Sequence, residues 1–198
     1  LGLAKSPIQA ARDIINGSPK SIDIGLFGDR YFNYIASFGA FTEASYNATQ
    51  EAKNVLGHFA YILEGIMSVA NIRPYNAKFT FNDTVVEGEF IFAAISNTTS
   101  VGGVLKLKDA LVALNDGEFE LLLVRRPNDI VQLNKIVGDI VSQKFEGDMV
   151  NLYHASEITV ECDEDIDWTL DGECEHAGKS AHIKNVPSAI HLIMPNKD

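Results

Sequence analysis

Apolar residues in this chain recur mostly at every second position, and only three segments carry them at the spacing of an α-helix. The first is short: Ile8, Ala11, Ile14 and Ile15 follow Ser6-Pro7 and stop at Gly17. Ser6 is the expected N-cap, Pro7 the first helical residue and Gln9 the return partner of a capping box. Ser18-Pro19 reads as a linker. From Ile22 the period falls to two, with Ile22, Ile24 and Leu26 alternating against Asp23 and Gly25. Gly28-Asp29 then turns the chain into a second run over 31–38, which predicts a β-hairpin. A longer helix opens at Asn47 and Gln50, with Ala52, Val55, Leu56, Phe59, Leu63, Ile66 and Met67 as its core stripe.

Downstream, strands are predicted over 77–81 and 85–96, joined by a turn at Asn82-Asp83 and interrupted at Gly88. The run 119–125 is apolar almost throughout, which predicts a strand buried on both faces. Asp129 caps a third helix carrying Ile130, Leu133, Ile136, Val137, Ile140 and Val141 on one side. After Val150 the alternation returns over 150–153, 158–162, 166–170, 181–184 and 189–194. Strands predominate and the helices are inserted without regular alternation. The prediction is an α+β, mainly β architecture: an antiparallel β-sandwich with inserted helices, not a doubly wound parallel sheet.

Composition changes this picture little: 198 residues with 46% hydrophobic content suffice for one substantial core. No apolar run approaches the ~20 residues that span a bilayer, and the first residues lack a leader's basic, apolar and small-residue order. A cytoplasmic protein is expected, with Cys162 and Cys174 reduced. The net charge of -11 and the scattered Lys and Arg argue against a nucleic-acid partner. The same charge opposes an anionic lipid surface, so any docking face for a membrane has to be local or lie outside this chain.

Two carboxylate-bearing turns are the candidate chemistry. Asp171-Gly172-Glu173 follows a strand that holds the single tryptophan, Trp168, and Asp116-Gly117 precedes the apolar run 119–125. Each taken alone is a polar turn, since Asp-Gly is a favoured turn dipeptide. Gly102-Gly103 is not a phosphate loop, because no Lys-Ser/Thr follows it and no Gly-x-Gly-x-x-Gly is present. Cys174-Glu175-His176 supplies two zinc ligands where a structural site needs about four, so no zinc is expected. No Gly-x-Ser-x-Gly elbow occurs, which leaves a Ser-His-Asp hydrolase without support.

Taken together, the segments Ile72-Arg73-Pro74, Ser96-Asn97-Thr98-Thr99-Ser100-Val101-Gly102-Gly103, Leu114-Asn115-Asp116-Gly117, Leu170-Asp171-Gly172-Glu173 and His191-Leu192-Ile193-Met194-Pro195 carry a resemblance. In order and separation they resemble the C-terminal half of the bacterial soluble diacylglycerol kinase family of lipid kinases. The resemblance implies that residues 1–20 are a helix and linker continuing from an N-terminal nucleotide-binding domain, and that residues 21–198 are the C-terminal, acceptor-binding β-sandwich. That family's phosphate-gripping Gly-Gly-Asp-Gly-Thr segment is not in this sequence.

By the same resemblance, Glu173 is the general base, Asp171 supports it, and a structural Mg2+ is held by the Asp116 side chain with the carbonyls of Ala113 and Glu118. Asn97, Thr98, Gly102 and Gly103 would border the substrate cleft. ATP is the implied co-substrate, bound mainly by the other domain. The implied partner is a lipid with a free hydroxyl, met in transient contact with a membrane, and the implied role is in phospholipid metabolism. A homodimer is left open. The competing reading is a noncatalytic β-sandwich module that binds lipid or protein. Glu173 separates the two, since only the kinase has a use for a carboxylate there.

Overall fold

Alternation at period two builds strands here because each apolar residue in turn finds the same inner face. The computed structural model describes residues 4, 6–40, 73–101, 105–108 and 111–196. The helix expected from Asn47 and the Gly102-Gly103 pair lie outside these residues. The elements are α1 (Pro7–Ile15), β1 (Ser18–Phe27), β2 (Arg30–Phe32), β3 (Ile35–Gly39), β4 (Tyr75–Phe81), β5 (Thr84–Ser96), β6 (Ser100–Val101) and β7 (Leu105–Lys106). They continue with β8 (Phe119–Arg125), α2 (Ile130–Ser142), β9 (Val150–Ala155), β10 (Glu157–Cys162), β11 (Asp167–Leu170), β12 (Glu173–His176) and β13 (Ser180–Met194).

Among the described residues, eleven strands form one sheet along the path β12-β11-β3-β5-β4-β10-β13-β1-β2, with β8 paired to β5 and β9 to β8; β6 and β7 make a separate ribbon. The pairings within the large sheet are antiparallel. The sheet curls until the two ends of that path meet: Phe27 of β1 lies edge-on to Trp168 of β11 at 5.1 Å, and Arg30 of β2 bonds Glu173 and Glu175 of β12. This is the mainly β, α+β fold that the alternation predicts.

The curled sheet encloses an aromatic core of Phe32, Phe38, Phe79, Phe90, Phe119 and Trp168. Its outer face over β5, β8 and β9 carries a second core, where Leu133, Ile136 and Ile140 of α2 meet Phe92, Leu122, Val124 and Val150. Strand β8 serves both, sending Phe119, Leu121 and Leu123 inward and Leu122 and Val124 outward, as its unbroken apolar run predicts. The start of α2 also follows the sequence, with Asp129 accepting the Gln132 amide at 2.8 Å.

Several local expectations are corrected. Ser6 precedes α1, but its side chain makes no capping bond, and Gln9 bonds Asp13 at 3.0 Å in place of closing a capping box. Ser18-Pro19 is not linker but the start of β1, paired with Met194 and Ile193. Proline is admitted because β2 pairs only Gly25–Phe27 of β1, so residue 19 needs no donor on that side. Gly17 is needed just before it, since a Cβ there would meet the Met194 carbonyl at 2.6 Å.

Asp23, expected on the polar face, is fully buried, because a bulge between Ile22 and Ile24 turns it inward. The run 31–38 breaks at Asn33 and Tyr34, and the two short strands expected over 181–194 are one strand, β13, bulged where Ser188 adopts φ 52°. Strand β12 has no counterpart among the strands that the alternation predicts.

Phe38 is the hub of the inner core, touching Tyr75, Phe79 and Trp168 at ring separations of 5.3, 6.3 and 4.8 Å. Phe38→Ala should cost about 3–5 kcal/mol of unfolding free energy, measured by denaturant titration followed through Trp168 emission. A loss below about 1 kcal/mol would show that the cavity collapses and that Phe38 is no hub.

Candidate functional site

Strands β11 and β12 are joined by a two-residue turn, Leu170 pairing with Glu173 across Asp171 (φ 50°) and Gly172 (φ 97°). Positive φ at both central residues is the hairpin geometry that favours Asp-Gly. The Asp171 carboxylate then accepts three backbone N–H groups, from Asn33 at 2.7 Å, Tyr34 at 2.8 Å and Ile35 at 2.9 Å, while its own N–H donates to the Ile35 carbonyl at 2.9 Å. This is why β2 ends at Phe32: the donors that would extend it are turned to a carboxylate.

Glu173, the first residue past the turn, has a side chain 76% exposed. Arg30 donates to it at 2.5 Å and also to Glu175. The hydrogen bond and charge of Glu175, with those of Glu173 behind them, raise the Arg30 pKa further above its ordinary value against a smaller desolvation effect. The outcome is a carboxylate of fixed position, open to a molecule approaching from solvent.

The second turn is built from below by buried polar groups. Asp23 accepts the Gly117 N–H at 2.7 Å and the Ser188 N–H at 2.6 Å, one on each carboxylate oxygen, which also closes the bulge between β1 and β13. Buried Asn97 donates to the carbonyls of Asp23 at 2.8 Å and Leu114 at 3.2 Å, and Asn185 donates to that of Glu118 at 3.1 Å. Asp116 itself is exposed and accepts the Glu118 N–H at 3.1 Å. Asn97 links the two turns, because its own N–H reaches the carbonyl of Tyr34, whose N–H is held by Asp171.

The Asp116 loop offers oxygen donors only: a carboxylate, the Glu118 carbonyl and, three residues before Asp116, exposed Ala113. Asn97 and Asn185, whose amide nitrogens hold the carbonyls of Leu114 and Glu118, each leave a buried side-chain oxygen without a hydrogen-bond partner. A hard, all-oxygen set with surplus acceptors around it suits Mg2+. Thr98 sits next to Asn97 at the end of β5.

Sequence reasoning missed Arg30, Asp23 and Asn185, whose roles depend on pairing distant in sequence. It also missed a neighbour of Cys174 and His176, since register places Asp167 directly across from His176. Cys162 and Cys174 are free thiols.

Glu120 lies 1% exposed on β8, between Ser96 of β5 and His154 of β9 in register. Burial pushes its pKa up to about 8, with the charges of Asp116 and Glu118 adding, against the backbone N–H groups of Glu120 and Thr98. Between about pH 4.5 and about 8 the folded chain therefore keeps a proton that the unfolded chain releases, so stability falls as pH rises through that window. Glu120→Gln should remove this fall, making the variant's loss from about pH 5 to pH 8 smaller than wild type's by an amount on the order of a few kcal/mol. Parallel stability curves for the two proteins would refute the assignment.

A family model described as the YegS C-terminal NAD kinase beta sandwich-like domain matches residues 36–194. A diacylglycerol kinase of Bacillus subtilis (strain 168) is 30% identical over 204 residues, covering 100% of this chain and 65% of that protein. A diacylglycerol kinase of Staphylococcus epidermidis is 28% identical over 193 residues, covering 96% of this chain and 60% of that protein. A solved diacylglycerol kinase structure from Bacillus anthracis str. Sterne superimposes with TM-score 0.68 at 16% identity, covering 98% of this chain and 61% of that one. Another chain from the same organism gives TM-score 0.76 at 23% identity, covering 98% and 64%. At those identities the structural likeness speaks for the fold. The chain spans less than two thirds of the length of these relatives.

Proposed function

The chain belongs to the YegS C-terminal NAD kinase beta sandwich-like domain family, and on that premise we propose that it is the acceptor-side, base-bearing domain of an ATP-dependent kinase that phosphorylates the hydroxyl of diacylglycerol or a related lipid. The observation that carries the reading is Glu173, an exposed carboxylate held by Arg30 and set on a turn that Asp171 locks to residues 33–35.

An alcohol is a weak nucleophile at neutral pH. Glu173 takes the hydroxyl proton as the lipid oxygen bonds to the γ-phosphorus and the bond to the ADP oxygen breaks. ATP supplies the phosphoryl group when bound, and its binding belongs mainly to residues outside this chain. Asp171 acts on the position of Glu173 rather than on the proton, because its oxygens are taken up by backbone N–H groups. Mg2+ would be held by Asp116 with the carbonyls of Ala113 and Glu118, where it would offset the local negative charge. Such an enzyme works in the cytoplasm and meets its lipid at a membrane face.

In the complete kinase, Glu173→Gln should lower kcat by ~100 to 10,000-fold with little change in KM for either substrate. Asp171→Asn should chiefly lower stability, with a smaller loss of kcat per folded molecule. The measurement is steady-state kinase activity on a diacylglycerol in mixed micelles, with circular dichroism as the check of folding. A folded Glu173→Gln enzyme that keeps more than about a tenth of wild-type kcat would remove the base and favour a noncatalytic lipid- or protein-binding module.

Magnesium gives a second test. Millimolar Mg2+ should raise the thermal midpoint of this domain, since a ligand of the folded state stabilises it by mass action. Asp116→Ala should abolish the increase, and an equal response in both proteins would sink the site.

A further inference from the structure

The two faces of β12 carry different chemistry. Glu173 and Glu175 reach Arg30 on one side, whereas Cys174 and His176, two residues apart, share the other. Across the ladder, Asp167 of β11 pairs directly with His176. A carboxylate oxygen of Asp167, the Cys174 sulfur and an imidazole nitrogen of His176 all lie within 4.8 Å of one another, and all three residues are exposed. The geometry points to a binding site for one borderline-soft divalent cation of the Zn2+ class, held by Asp167, Cys174 and His176 with a water in the fourth position.

The donor set selects the ion. One thiolate, one imidazole and one carboxylate match the ligand types of tetrahedral zinc, while Mg2+ takes hard oxygens and would not recruit the thiol. The distances are within reach. Bonds of about 2.0–2.3 Å in a tetrahedron place ligand atoms roughly 3.3–3.8 Å apart. Here the Asp167 Oδ1 and His176 Nδ1 atoms are hydrogen-bonded at 2.5 Å, and the widest separation in the group is under 4.8 Å. Side-chain rotations moving atoms on the order of 1 Å would seat the ion, and exposed side chains can make them without disturbing the core.

The chain's other thiol makes a useful contrast. Cys162 is half-buried, and burial with the charges of Asp163 and Glu164 pushes its pKa up to about 11, which withholds the thiolate a metal needs. The plainer reading of the cluster is a cross-strand Asp–His pair with a cysteine beside it. That reading predicts no metal response and gives the thiol no part.

An ion here would staple β11 to β12, the terminal pair of the sheet path, and so stiffen the hairpin that presents Asp171 and Glu173. The inference does not rest on the kinase reading. Glu173 points to the opposite face, so Glu173→Gln should leave metal binding unchanged.

The test is titration of the reduced domain with Co2+ and Zn2+. Co2+ should produce one thiolate charge-transfer band per chain, Zn2+ should displace it, and Zn2+ should raise the thermal midpoint. Cys174→Ser should abolish the band, and Asp167→Asn and His176→Gln should each weaken Zn2+ binding at least tenfold in competition with a chromogenic chelator. Cys162→Ser should leave both signals intact. A band that survives in Cys174→Ser, that vanishes in Cys162→Ser, or that never forms below millimolar metal would overturn the site. Circular dichroism of each variant guards against a loss that reflects unfolding.

Discussion

A single carboxylate, that of Asp171, settles how the sheet closes. Three consecutive N–H groups at residues 33–35 would be orphans where β2 stops, and one side chain on a distant hairpin accepts all of them. Hydrogen bonds to a charged acceptor contribute about 1.5–3 kcal/mol each where they are shielded and less where they are wet. The set also supplies direction. It brings the β11–β12 hairpin against the β1–β2 end, lets Trp168 pack against Phe27 and Phe38, and fixes the spacing at which Arg30 can hold two glutamates.

From that anchor a continuous polar path runs through the molecule. Tyr34 hands its carbonyl to Asn97, Asn97 reaches Asp23 and Leu114, and Asp23 grips both the Gly117 turn and the β13 bulge. A fully buried aspartate on a strand is costly unless each oxygen is bonded, and here both are bonded to backbone N–H groups that a bulge and a turn leave free. Glu120 is less well provided. Burial outweighs what the backbone N–H groups of Glu120 and Thr98 offer its carboxylate, which is why its pKa is pushed up to about 8.

What the sequence made legible follows from range. The β4–β5 turn at Asn82-Asp83, the doubly buried β8 and the Asp129 cap of α2 are decided within a few residues, and alternation alone is enough for the mainly β class. What stayed hidden depends on partners far along the chain. Asp23 reads as an ordinary outward polar residue until the bulge turns it in, and residues 185–188 read as a gap between two strands until Ser188 is seen donating to Asp23. Glu173 and Asp116 were visible through resemblance, while Arg30, which holds Glu173, carries no local mark. The same blindness to register hid Asp167 beside Cys174 and His176.

The pairing of β1 with β13 has a mechanical consequence. Ser18 lies opposite Met194, Ser18 bonds Asn196 at 2.7 Å, and Asn196 bonds the Asn16 carbonyl at 2.7 Å, so residues 16–18 and 194–196 lie side by side. Topologically the domain is a nearly closed ring. A few added residues could join those two places, and new ends could be opened at the exposed Asn82-Asp83 turn without cutting a strand. Conversely, any body attached through both places would be joined to the curled sheet through one narrow stem.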